Sequence, residues 1–443
     1  MTYLIYILSF LVLISIIVFI HELGHFTFAR LFGVRVIDFS IGFGRSIKSW
    51  QTNSETIFNL RILPVGGFVQ MKGENISNDE NEQDSFASKK YYQKMLITLG
   101  GPLFNFVLAL VIFFMINLYG VQKVTPLIGD VIPNSLAETN GLLAKDLILE
   151  IDGNDISSYS DAQSILSKRL GDTGIVNFKI LRNENTFFYN LEITDWLSED
   201  EPSNLVYSLG IVPPIEPVIG EVLPDSPAAE GGLNSGDMIL KINANPIYDW
   251  SEIKKFINEK GGETISLTID RNGESKQLFV KPIFSEISST WQIGISSAYI
   301  LNPSSRKIIK FGIAQSLQNS FLQTFSVIEN SLIFFKKIIF GQISSKNLGG
   351  PVMIGQYAGE SVIYGGLYSF IYLIAFISIS LGIVNLFPLP VLDGGQALIL
   401  TIERIIGKNL PDKLLDFFYK LGTLFLLFLF VFVFLNDIFR IIL

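Results

Sequence analysis

The sequence predicts a polytopic α-helical membrane protein with four transmembrane helices, cytoplasmic-side β hairpins, and a duplicated α+β domain on the opposite side. Three observations carry this. Hydrophobic residues make up 49% of the 443-residue chain and charged residues only 17%, with the apolar residues gathered in long runs, as in chains that live in lipid. Basic residues concentrate in two loops. The long stretch between the second and third apolar runs repeats itself.

The apolar runs place the spans near residues 3–28, 95–119, 366–387 and 415–436, each long enough for a hydrocarbon core of about 30 Å. The first run has no basic flank and no small-residue cleavage site, so it is expected to stay as a span rather than be removed as a signal peptide. The loop after it carries Arg30, Arg35, Arg45, Lys48, Arg61, Lys72, Lys89, Lys90 and Lys94, and the loop between spans three and four carries Arg404, Lys408 and Lys413. The excess of basic residues puts both loops in the cytoplasm. The region between spans two and three then lies outside, and there acids outnumber bases.

Between the first two spans, "SIGFGRSI" and "TIFNLRILPVGGFVQM", joined by a polar "QTNSET" turn, read as β hairpins over Phe39 to Met71. In the outer region, "IGDVIPNSLAETNGLLAKDLILEIDGNDI" from Ile128 and "IGEVLPDSPAAEGGLNSGDMILKINANPI" from Ile219 align without a gap. Each copy predicts a strand, a short helix, a Gly-Leu, an Asp, an alternating strand, a longer helix near 159–170 or 249–260, and hairpin strands. The pattern resembles PDZ domains of the bacterial, circularly permuted type. Domains are therefore expected at 1–122 (two spans and hairpins), 123–212 and 213–285 (the two PDZ domains), 286–365 (linker and amphipathic interfacial helices) and 366–443 (two spans). Within the fourth of these, Leu317, Phe321, Phe325, Ile328, Leu332 and Phe335 recur at helical spacing. That spacing suits a helix on the outer membrane surface or one packed on the second PDZ domain.

The chain has no cysteine and only two histidines, His21 and His25, both in "HELGH" near the end of the first span. Disulfides and thiol chemistry are excluded, and any metal must use imidazole and carboxylate. Four residues apart, the two imidazoles share one helical face with Glu22 beside them, the H-E-x-x-H arrangement in which two His bind Zn²⁺ and Glu is a general base. An ionisable group in a span costs roughly 2.5 to 3.5 kcal/mol, which asks for a compensating reason; a motif placed at the interface would cost less. A catalytic zinc usually takes a third protein ligand. Between Glu360 and Glu403 the only charged residue is Asp393, in "NLFPLPVLDGGQALIL". It can reach a metal or cap the helix that follows.

HELGH in a first span, "NLFPLPVLDGG" in a third, and tandem PDZ domains between spans two and three resemble the site-two protease family of intramembrane zinc metalloproteases. The resemblance extends to "GFG" at 42–44, "PVGGFVQMKGE" at 64–74, "GGPLFNF" at 100–106 and "LGGPVMIGQ" at 348–356. It implies zinc on His21, His25 and Asp393, Glu22 as the catalytic base, Asn385 holding substrate backbone, and a membrane-reentrant β element whose Gly42 and Gly44 meet substrate. It also implies a bacterial inner-membrane location with the PDZ domains in the periplasm and the active site near the cytoplasmic side. Its substrates would be single-span proteins of the anti-sigma-factor type, cut first by an upstream site-one-type protease, and signal-peptide remnants. Relatives often carry His after LDGG where this chain has Gln396, a position outside the ligand set.

The competing expectation is a non-catalytic membrane scaffold or chaperone whose PDZ domains recruit clients; an intact Glu22 speaks against it. The PDZ pair suits either peptide binding by strand addition or a size filter that obstructs bulky partners. A net charge of −8 with no basic stripe argues against nucleic acid.

Overall fold

The computed structural model describes residues 2–52, 55–74, 82–199, 204–286, 290–298 and 300–442. It divides into two compact units. One comprises residues 1–119, 310–338 and 344–443; the other comprises 120–309 with 339–343.

The first unit is helical. Helix α1 spans Thr2–Leu31, α2 Tyr91–Thr98, α3 Gly100–Tyr119, α4 Ile313–Ile339, α5 Pro351–Asn385, α6 Asp393–Ile406 and α7 Asp412–Ile442. Among the described residues, four segments are long and apolar enough to cross a membrane: Leu4–Leu31, Gly100–Tyr119, Gly365–Asn385 and Asp412–Arg440. The second starts five residues later than the sequence predicts, because α2 ends at Thr98, with Leu99 as its cap, and a new helix opens with Gly100, Gly101 and Pro102. Small residues let α1 and α3 touch backbone to backbone. A Cβ on Gly24 would lie 2.1 Å from the Gly100 carbonyl oxygen, so this crossing tolerates no side chain. Leu13 and Ile17 of α1 pack with Ala358, Phe370 and Ile374 of α5. Gly366, with a positive φ of 62°, separates the first part of α5 from its apolar remainder.

The apolar positions of α4 face outward. Leu317, Phe321, Phe325 and Leu332 are exposed, while Ser316, Ser320 and Thr324 form the buried edge. Asn117 of α3 donates to Gln323 of α4 at 3.0 Å, and Phe335 of α4 packs edge-on against Phe387. Small hydroxyl side chains allow close helix approach, and the outward apolar stripe suits contact with lipid.

Strands β1 (Val36–Gln51) and β2 (Ile57–Met71) pair in an unusual way. Residues 36–41 pair with 67–71 on one side, as in Ile41 with Gly67, and with 57–60 on the other, as in Ile41 with Leu60; residues 48–51 then pair with the outer side of 57–60. The hairpin is thus folded into a four-segment sheet. Gly42 and Gly44, with φ of 91° and 85°, form the bend between the two halves of β1. Left-handed backbone there favours glycine.

The second unit holds the two repeats. In each, a four-stranded antiparallel sheet is built on the alternating strand, Leu147–Ile151 or Met238–Ile242. The repeated Asp is buried and paired with an arginine from the hairpin. Asp146 meets Arg182 at 2.6 Å and Asp237 meets Arg271 at 2.7 Å, and each Asp also accepts a backbone N–H, from Leu143 or Asn234. Each short helix is capped by a serine, Ser135 or Ser226. The second repeat runs past the expected end at 285, because Ile219–Val222 pairs with Ile295–Ser297 as Asp130–Val131 pairs with Ile211–Val212 in the first. Residues 290–309 therefore belong to this unit rather than to a linker, and the unit closes where Arg306–Ile309 pairs with Val121–Val124.

Candidate metal centre

Three elements of the helical unit converge on one point. Helix α1 carries His21, Glu22 and His25, each 8% exposed. Asp393 arrives at the first turn of α6, from a loop folded tightly under that helix: a Cβ on Gly394 or Gly395 would sit 2.1 Å from the Leu386 carbonyl oxygen or 2.0 Å from that of Leu389. Only glycine fits both positions. The capping alternative for Asp393 does not hold, since the cap residue of α6 is Leu392 and no side chain bonds there.

His21 Nε2 lies 3.2 Å from Asp393 Oδ2, His25 Nε2 lies 3.6 Å from Asp393 Oδ1, and the two Nε2 atoms are 3.3 Å apart. A tetrahedral site with arms of about 2.05 Å has edges of about 3.3 Å; the two Nε2 atoms stand at that spacing, and each faces one oxygen of the Asp393 carboxylate. Asp393 Oδ2 is buried with no hydrogen-bond partner, a costly state for a carboxylate unless a cation meets it. Room exists beside the nitrogens, because a Cβ on Gly101 of α3 would fall 2.4 Å from His25 Nε2 and 2.6 Å from His21 Nε2. Among the described residues, this is the only group of His and carboxylate side chains close enough to share an ion.

The surroundings orient the ligands. His25 Nδ1 donates to the Ile97 carbonyl oxygen at 2.9 Å, which leaves Nε2 free to bind. Asn385, the last residue of α5, places Nδ2 3.4 Å from His21 Nε2. Gly67 of β2 lets the sheet lie directly on the catalytic candidate, since a Cβ there would meet Glu22 Cγ at 2.9 Å. Gly42 and Gly44 lie at the bend of β1, with no contact to the histidines among the described contacts.

Sequence reasoning missed Gly101, Gly67 and Asn105. All three sit inside the stretches "GGPLFNF" and "PVGGFVQM", whose signal was the motif itself, without a role that spacing alone could assign.

Residues 9–429 match the sequence profile of peptidase family M50. This chain belongs to that family, the site-two proteases. It is a zinc metalloprotease and a multi-pass membrane protein. The regulator of sigma E protease of Haemophilus influenzae is 34% identical over 98% of both chains, and the regulator of sigma-E protease RseP of Escherichia coli is 30% identical over 98% of both. A stretch covering 18% of this chain and 85% of its counterpart is similar to the PDZ domain of an SdrC-like protein from Listeria monocytogenes, at 27% identity and a TM-score of 0.17. The three side chains fit zinc in donor type and proximity, two imidazole nitrogens and a carboxylate whose ligand atoms all lie within 4.8 Å of one another.

Proposed function

We propose that the protein is an endopeptidase that cuts transmembrane segments of single-span membrane proteins within the bacterial inner membrane. His21, His25 and Asp393 hold the zinc, Glu22 is the general base and Asn385 positions the substrate. The observation that carries this reading is the set of 3.2, 3.3 and 3.6 Å separations among the three ligand side chains, within one helix turn of a glutamate.

Zinc, when bound, supplies a Lewis acid that polarises a peptide carbonyl and acidifies water. The chain supplies the rest. The Glu22 carboxylate takes a proton from the attacking water and returns it to the departing amide nitrogen. Asn385 Nδ2, beside His21, donates to the carbonyl oxygen of the bond being cut. Burial of the ligands keeps bulk water from competing.

A peptide bond in a helix is shielded by its own hydrogen bonds, so the substrate must be drawn out first. Residues 67–71 pair with β1 on one side only among the described pairings, and Gly67 touches Glu22. A substrate strand added at that edge would run past the base, with the bend at Gly42 and Gly44 shaping the sheet that receives it. The repeats act as two periplasmic PDZ domains that exclude substrates with intact outer domains, and the active site lies toward the cytoplasm. Suitable substrates are anti-sigma-type proteins already trimmed by an upstream protease, as the relatives' names suggest, and signal-peptide remnants.

Co-expression with a tagged single-span substrate tests this. Glu22→Gln should keep zinc and lose cleavage, while Asp393→Asn should weaken both. Undiminished cleavage in either variant would refute this mechanism.

A further inference from the structure

Asn105 is fully buried in α3, and no established part of the chemistry uses it. Its Nδ2 lies 3.2 Å from His21 Nδ1, while its Oδ1 has no hydrogen-bond partner. Its backbone is fixed, because Ser378 of α5 donates to the Asn105 carbonyl oxygen at 2.9 Å. The carboxamide can therefore do little except rotate in place against the imidazole.

The proton on that imidazole decides what the rotation means. His21 turns Nε2 toward Asp393 and His25, so a metal-bound His21 offers its Nε2 lone pair to the ion and must carry its proton on Nδ1. An Nδ1–H needs an acceptor. The two ends of a carboxamide have the same shape, and a half-turn brings Asn105 Oδ1 to where Nδ2 stands. His25 already has the equivalent arrangement with a fixed acceptor, the Ile97 carbonyl oxygen.

We propose that Asn105 is a positioning residue that fixes the tautomer and ring orientation of His21, donating to Nδ1 when the site is empty of metal and turning to accept from Nδ1–H when zinc binds. This rests on the zinc reading given above. It gives the "GGPLFNF" stretch two separate tasks: Gly101 leaves space at the ligand nitrogens, and Asn105 orients one of the ligands.

The chain contains only two histidines, so the full-length protein labelled with ¹⁵N-histidine shows just two imidazoles. Zinc-loaded wild type should show both protonated at Nδ1 and metal-bound at Nε2. Asn105→Leu, similar in shape but without an acceptor, should move the His21 Nδ1 signal, leave that of His25 in place, and lower zinc affinity in chelator competition about 10- to 100-fold. Asn105→Asp, which can only accept, should restore affinity to near wild type. An unprotonated His21 Nδ1 in zinc-loaded wild type would overturn the proposal, even if the leucine variant fails to fold. So would an Asn105→Leu protein with unchanged His21 signal and affinity, or an Asn105→Asp protein as weak as the leucine variant. Wild type that takes up zinc without shifting either Nε2 signal would instead refute the zinc assignment itself.

Discussion

Replacing Gly101 by alanine is the sharpest perturbation of the centre, because the added methyl has nowhere to go. Its carbon would stand 2.4 Å from His25 Nε2 and 2.6 Å from His21 Nε2, where ordinary contact begins at 3.4 Å. Relief requires about 1 Å of movement, several times the roughly 0.2 Å within which metal–ligand distances must fall. Helix α3 cannot back away from α1, since its other side is held on α5, where Ser378 donates to the Asn105 carbonyl oxygen and Gly382 leaves no room beside Phe106. His25 cannot swing without giving up its bond to Ile97. Gly101→Ala is therefore expected to lose at least ~100-fold in zinc affinity, a loss as large as that from deleting an outer-shell partner. The assay is metal content of the detergent-purified protein by mass spectrometry together with substrate cleavage. Gly312→Ala, whose Cβ would meet nothing within 4 Å, serves as the control. A Gly101→Ala protein with one zinc per chain and wild-type cleavage would refute the reasoning.

Other outcomes follow from the same structure. Asn385→Ala should keep zinc while slowing cleavage about 10²-fold or more, the usual cost of losing one donor to a developing oxyanion, measured as single-turnover rate beside metal content. Asp437 of α7 accepts from the backbone N–H groups of Gly350, Val352 and Met353 at the start of α5; Asp437→Ala should destabilise the helical unit by on the order of 3 kcal/mol, read as a lower Tm with zinc content unchanged. In the second repeat, burial alone would raise the Asp237 carboxyl, but the Arg271 guanidinium and the Asn234 N–H hold it below its ordinary value. Its folded pKa is lower than its unfolded one, so the pair stabilises fully above about pH 4 and the contribution is lost as pH falls through the folded value. Arg271→Met should flatten that acid dependence, followed by the fluorescence of Trp250 and Trp291 in a background lacking Trp50 and Trp196.

Much of this organisation is legible in the residues themselves. Runs of apolar side chains mark all four spans, because a membrane helix must satisfy its backbone internally and cover itself in hydrocarbon. A gapless repeat marks the paired units, down to the Asp that meets an arginine in each. With no other His and no Cys, elimination limits a third ligand to a carboxylate, and the lone charge of Asp393 in an apolar run makes it the candidate, while the resemblance to the family is what pairs it with the histidines. What spacing cannot show is glycine's role as space. Gly101 and Gly67 matter through the backbones, side chains and nitrogens that approach them, and such contacts join positions far apart in the chain. The sheet formed by β1 and β2 is hidden for a related reason: two strands in sequence become four segments only because the bend at Gly42 and Gly44 folds the hairpin over. The outward apolar stripe of α4 was visible as periodicity, but the side it faces depends on Ser316, Ser320 and Thr324 packing inward, which no pattern of hydrophobic residues reveals.

X-ray absorption at the zinc edge of the purified full-length protein reads the ligand set of the bound metal. Zinc held by His21, His25 and Asp393 should give two imidazole nitrogens at about 2.0 to 2.1 Å and a carboxylate oxygen at about 2.0 to 2.2 Å, with the oxygen shell altered in Asp393→Ala. A spectrum with one imidazole or none, or one that Asp393→Ala leaves untouched, would contradict it.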